Sequence, residues 1–255
     1  MAENDDSKDY VESMKDRILG EYDRMNLDSE FTFQCDQNMK CFTVCCGDVN
    51  IYLTPYDVLR MKNRLGISST EFLEKYTLNP FTKTQKLPSV LLKMDPETTR
   101  CQFVDDEKGC TIYEDRPWAC RMYPLGKASP RDADVDEEFY FLMKEDHCLG
   151  LTEGTRKFTV REWVEDQGIA EYDEMGELFK KVCLHPMLEE IDLTPQKMEM
   201  FYMACYNLDN FRRFITNSRF RHVYEVSEEE VEKAAADDAE LFRLAIRWLL
   251  FGLYN

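Results

Sequence analysis

Apolar residues in the last hundred positions recur at helical spacing. Met198, Phe201, Tyr202, Cys205 and Leu208 fall on one face of a helix predicted over 195–215. Met175, Leu178, Phe179 and Val182 do the same over 171–184, and a last helix is predicted over 228–252, with Ser227 and Glu230 as its capping box. "TVREWVEDQG" opens with the same device, Thr159 with Glu162. Near the start of the chain, Val11, Met14, Ile18, Tyr22 and Met25 predict an amphipathic helix over 7–25.

Between these helical ends the pattern changes to short apolar runs. "VNIYLTPYDVLRMKNRLG" reads as a brief strand followed by a helix, with Thr54 at the N-cap, Pro55 at the first position and Gly66 just past the end. "SSTEFLEKY" begins another helix, with Ser68 and Glu71 at capping-box spacing. "SVLLKM", "CQFVDD", "CTIYED" and "EEFYFLMK" read as strands, the middle two joined by the turn "DEKG". A small antiparallel sheet of this kind brings Cys101 and Cys110 to the ends of one hairpin. In "DRPWACRMYP", Asp115 is placed to cap a short helix that carries Cys120.

These elements predict an α+β fold. Residues 1–157 are expected to form a cysteine-bearing module with a small antiparallel sheet, and 158–255 a helical C-terminal cap packed on it. With 255 residues, 44% of them hydrophobic, the chain can bury a sizeable core. Its most apolar segment, "LFRLAIRWLLFGLYN", is interrupted by Arg243 and Arg247 and is shorter than the roughly 20 residues that cross a bilayer. It reads as a buried or docking helix. The acidic start "MAENDDSKDY" resembles neither a secretory signal nor a transit peptide, so a cytoplasmic protein is expected.

Charge narrows the partners. Against 32 Lys and Arg stand 50 Asp and Glu, a net charge of −18, which repels phosphate backbones and anionic lipid. Neither nucleic acid nor membrane is an expected partner, and "EEEVEKAAADDAE" reads as a solvated helix face.

The ten cysteines carry the chemistry. In a reducing compartment they cannot be a disulfide framework, and clustered thiols there point to metal. Cys183 and Cys205 lie on apolar helix stripes and read as packing residues. The other eight, Cys35, Cys41, Cys45, Cys46, Cys101, Cys110, Cys120 and Cys148, lie beside Gly, Pro and Asp in loop-like or mixed surroundings. Cys41 and Cys45 are near enough in the chain to chelate one ion, yet no C-x-x-C pair occurs, which disfavours an ordinary zinc finger.

Cys45 and Cys46 are adjacent, and adjacent side chains diverge in a strand or a helix alike. If both bind metal, two four-cysteine centres are the natural arrangement, with one of the pair in each. The alternative is one metallated centre with the remaining thiols reactive or structural. Four thiolates around Zn²⁺ or a [4Fe–4S]²⁺ cluster leave a local charge of about −2, so basic or amide donors are expected nearby. Arg116 and Arg121 are the nearest cations in the chain. They are placed either to pair with surface carboxylates or to donate to thiolate sulfur or a bound anion.

Other chemistries find little support. No G-x-G-x-x-G, P-loop, G-x-S-x-G or H-E-x-x-H motif is present. Of the three histidines only His147, next to Cys148, touches the cysteine series, as a ligand, a supporting donor or a solvated loop residue.

The ordered phrases "FQCDQNMKCFTVCCGDVNIYLTPYDVLRMKNRLG", "CQFVDDEKGCTIYEDRPWACRMYP" and "HCLG" resemble the YkgJ-type cysteine-cluster family, the CxxCxxCC zinc- or iron-chelating domain, over residues 33 to about 150. The resemblance implies metal chelation by the eight cysteines named above. The gap between Cys35 and Cys41, five residues, departs from the family's spacing. Three functions follow as expectations. The first is a cytosolic protein holding zinc or an iron–sulfur cluster in one or two centres, with a redox or accessory role; the irregular spacing leans toward the cluster. The second is a protein lysine methyltransferase-like enzyme, since a flagellin lysine-N-methylase is similar in its cysteine cluster. The third is a zinc-stabilised module that binds a protein partner.

Overall fold

A computed structural model describes residues 20, 22–79, 86–129 and 138–254. The helix expected over 7–25 lies largely outside them. Gly20 is helical, whereas residues 22–25 are not, and Met25 forms a bridge with Tyr140. The fold is α+β, with small antiparallel sheets and a helical C-terminal region. Its residues gather into two compact units, each drawn from two chain segments.

The first unit joins the residues up to Cys45 to Met122–Ile169. Strand β1 (Glu30–Thr32) pairs with β9 (Lys157–Thr159), and β7 (Leu125–Ala128) with β8 (Phe139–Leu142), both antiparallel. Helix α4 (Val160–Asp166) follows, opened by the Thr159–Glu162 capping box that the sequence predicts. Trp163 is the packing centre: Phe31, Phe33 and Phe158 meet it at ring centroid distances of 5.9, 5.4 and 5.2 Å, all edge-on. Each such pair adds about 0.5–1.5 kcal/mol beyond its buried area. The Trp163 indole N–H donates to the Met122 carbonyl at 3.2 Å, so the buried ring leaves no polar atom unsatisfied.

The second unit joins Cys46–Arg121 to the residues from Ala170 onward. A three-stranded antiparallel sheet runs in the order β2 (Tyr52–Leu53), β4 (Val90–Leu92), β3 (Thr77–Leu78). Helix α1 (Pro55–Leu65) starts on the Thr54–Asp57 capping box and ends at Gly66, whose φ of 66° suits glycine alone without strain. Helix α2 (Ser69–Tyr76) is capped by Ser68. The hairpin β5 (Val104–Asp105) and β6 (Gly109–Cys110) turns on Asp105, whose carboxylate accepts the N–H groups of Glu107 and Lys108. "CTIYED" is strand only at its first residue; Tyr113–Asp115 form a 3₁₀ turn. Helix α3 (Trp118–Met122) follows.

The helical part comprises α5 (Ile169–Cys183), α6 (Pro195–Cys205), α7 (Leu208–Asn217), α8 (Phe220–Val223), α9 (Glu228–Ala236) and α10 (Asp238–Tyr254). Two helices expected to run on are broken. The 195–215 helix stops at Tyr206 and Asn207, where the Asn207 side chain accepts hydroxyl bonds from Ser69 and Thr70. The 228–252 helix stops at Asp237, which is extended and accepts the Glu240 N–H. Short Asn and Asp side chains compete for local polar groups and favour caps over helix interiors. Helix α10 packs on α6, α7 and α9 and buries Leu241, Phe242, Leu244, Ala245, Ile246, Trp248, Leu249 and Leu253. Among the described residues no helix is long and apolar enough to cross a membrane.

Candidate metal centres

Four cysteines come together in the first unit. The 33–35 segment is tied to the loop after β8 by main-chain bonds: Gln34 N–H to the Gly150 carbonyl at 3.1 Å, and Phe33 N–H to the Arg156 carbonyl at 2.9 Å. The approach is so close that a Cβ at Gly150 would lie 2.3 Å from the Gln34 carbonyl oxygen. The Gln34 side chain adds a clasp, accepting the Thr155 hydroxyl at 3.1 Å and donating to Asp36 at 2.7 Å. This brings Cys148 to Cys35. The chain then turns on Asp36, whose carboxylate accepts the Asn38 N–H, and Val44 N–H closes on the Cys41 carbonyl. Thr43 has a φ of 64°, a strained conformation for a β-branched residue and a mark of functional segments.

The outcome is a small pocket lined by Phe33, Gln34, Cys35, Cys41, Cys45, Tyr123, His147 and Cys148. Burial pushes the Cys35 thiol up to about 12, and the thiolates of Cys45, Cys41 and Cys148 and then Asp36 push the same way. Cys35 nevertheless keeps a solvent-exposed side. The Tyr123 phenol is raised by burial and then by Cys148, and its hydroxyl oxygen is buried with no partner in position.

The other four candidates belong to the second unit. The Cys101 N–H donates to the Cys46 carbonyl at 2.8 Å, next to a bridge between Gly47 and Arg100. The β5–β6 hairpin brings Cys101 within electrostatic reach of Cys110, as the sequence predicts. Helix α3 adds Cys120. Its thiol is pushed up to about 12 by burial, then by Cys101, Asp57 and Cys110, and is held down by Arg116. Cys120 too has a solvent-exposed side. Burial also raises Cys101 and Cys110, opposed by main-chain N–H groups: Phe103 donates to Cys101 and Ile112 to Cys110. An amide aimed at sulfur stabilises thiolate.

Cations are present as well. Arg116 and Arg121 are buried and hold main-chain carbonyls, Arg116 that of Tyr113 and Arg121 those of Glu114 and Arg116. Arg116 stacks on Tyr113 at 3.6 Å and Arg121 on Tyr172 at 4.6 Å. Burial lowers the Arg116 guanidinium, whereas Tyr113, Cys110 and Cys120 favour its charge. The helix carrying Cys120 is held differently from expectation. Asp57, from α1, accepts the Trp118 N–H at 2.7 Å, while Asp115 pairs with Arg60 at 2.9 Å.

Cys45 and Cys46 share the 3₁₀ turn Val44–Cys46, in which successive side chains diverge by about 120°. Cys45 lines the pocket of the first unit; Cys46 belongs to the second. Cys205 is fully buried and Cys183 half-buried, both in the apolar core as expected of packing residues.

Residues 34–154 match the model of the CxxCxxCC family, described as a "putative zinc- or iron-chelating domain". Over those residues the chain is similar to this family. All eight cysteines of the two sets fall inside the match, with Asp57, Arg116, Tyr123 and His147. No curated protein and no solved structure matches the chain. The donors of the matched region suit a thiophilic metal in kind: four thiols on one pocket, three more within mutual reach beside amide and guanidinium donors. Among the described residues, however, no three His, Cys, Asp or Glu side chains stand in an arrangement that could hold a metal ion. The thiols are gathered and not closed. Asp57, Tyr123 and Gly150 were not among the expected site residues. The phrases "LTPYD", "RMYP" and "HCLG" contained them, without a spacing rule to single them out.

Proposed function

We propose that this protein binds metal through two four-cysteine centres, Cys35, Cys41, Cys45 and Cys148 in one and Cys46, Cys101, Cys110 and Cys120 in the other. The observation that carries the reading is the gathering of Cys35, Cys41, Cys45 and Cys148 on one pocket, where thiols from segments a hundred residues apart in the chain crowd one another. Crowded thiolates repel, and a bound cation turns that repulsion into attraction. None of the ten cysteines is in a disulfide, which suits a reducing compartment such as the cytoplasm.

Bound zinc would brace the fold, whereas an iron–sulfur cluster would supply one-electron chemistry. The chain's own contribution is to set donors against sulfur. In the second set the Phe103 and Ile112 amides and the Arg116 guanidinium oppose the burial that raises the thiols, and so favour thiolate once a metal displaces the protons. In the first, the Gln34–Gly150 contact holds Cys148 against Cys35. The absence of C-x-x-C spacing favours a cluster over a zinc ribbon. Elemental analysis of anaerobically purified protein, with a visible spectrum, tests the proposal. Iron and sulfide with broad visible absorption support the cluster, and zinc in a colourless protein supports zinc. Protein that retains neither metal, and takes up neither on reconstitution, overturns the proposal.

A further inference from the structure

Tyr123 sits in the wall of the first pocket beside Cys41, Cys45 and Cys148, its ring held edge-on by Phe33 at 6.0 Å. Its hydroxyl oxygen is buried and finds no hydrogen-bond partner in position. A buried polar group left unpaired costs about 1–3 kcal/mol, and native structures seldom keep one without a use. A neutral thiol is a weak acceptor, but a metal-bound thiolate is a strong one. Phenol is a donor near neutral pH, and of the thiols that share its pocket Cys148 interacts with it most strongly.

We propose that Tyr123 is a positioning residue of this centre, its hydroxyl donating to the Cys148 sulfur once that sulfur is a thiolate on a metal ion. The proposal rests on reading the pocket as a metal centre. Such a bond draws electron density from sulfur. It fixes the Cys148 rotamer, makes the thiolate less nucleophilic and strengthens the hold on the metal. Tyr123→Phe keeps the ring against Phe33 and removes only the donor.

The probe is Co²⁺ added to the metal-free full chain, read by its sulfur-to-cobalt charge-transfer band. The expected result for Tyr123→Phe is a band moved to lower energy, an affinity about tenfold weaker and faster alkylation of the loaded protein at Cys148. Phe33→Leu, which disturbs the same ring without touching the hydroxyl, is expected to leave the band in place. A fluorinated tyrosine at position 123, a stronger donor of the same shape, is expected to move it the opposite way, and this arm holds if Tyr123→Phe does not fold. Wild-type protein that binds no Co²⁺ overturns the metal reading itself. Wild-type protein that binds Co²⁺ with the same band and affinity as the Tyr123 variants overturns only the role of Tyr123.

Discussion

At the scale of single residues, Gly150 shows how a non-ligand decides whether thiols meet. Any larger residue must push the Gln34 carbonyl away, and with it the contact that brings Cys148 to Cys35. Gly150→Ala is predicted to lose the metal of the first centre and keep that of the second, as measured by metal content per chain. The thiols add a pH dependence. Cys35 and Cys120, pushed up to about 12, are protonated at neutral pH in the metal-free protein, so binding must displace their protons. Affinity is predicted to rise about tenfold per pH unit for each proton displaced, and calorimetry in buffers of different protonation enthalpy counts them. Asp57 runs the other way. It is buried, and burial outweighs its bonds from Trp118 and Thr54, so its carboxyl is raised from 3.8 to about 6. Below 3.8 it is neutral folded or unfolded; between 3.8 and about 6 the unfolded chain ionises first, so stability falls as pH rises, by about 3 kcal/mol. Denaturant melts of metal-free Asp57→Asn from pH 4 to 6 are predicted to lack that slope.

At the scale of elements, the parts dictated by local chemistry were legible. The Thr54–Asp57, Thr159–Glu162 and Ser227–Glu230 boxes stand where the sequence puts them, because a cap is decided within four residues. The β5–β6 hairpin and its Asp105 turn were equally local. What could not be read was decided at long range. Asn207 breaks a helix by accepting hydroxyls from Ser69 and Thr70, and Asp57 takes the role expected of Asp115 because folding brings α1 to Trp118. Eight cysteines could be singled out from their surroundings in the sequence, whereas the gathering of Cys35, Cys41, Cys45 and Cys148 beside Phe33 and Tyr123 could not. Core packing follows the usual rule: Phe211 is fully buried among Phe214, Phe220 and Trp248. Phe211→Ala is predicted to cost about 3–5 kcal/mol in chemical denaturation.

At the scale of the whole molecule, the central claim is the division of eight thiols into two sets, parted in sequence by the peptide bond between Cys45 and Cys46. The divergence of adjacent side chains in a 3₁₀ turn forbids neither set. The acidic surface, with a net charge of −18, fits a protein whose ligand is cationic. The most direct measurement is metal content per folded chain for the wild type, Cys45→Ser and Cys46→Ser, each reconstituted anaerobically and assayed by elemental analysis. Two centres predict that each substitution removes about half of the wild-type metal, and that the double substitution removes nearly all of it. If either single substitution abolishes all metal, or if both leave it unchanged, the two-centre account is wrong.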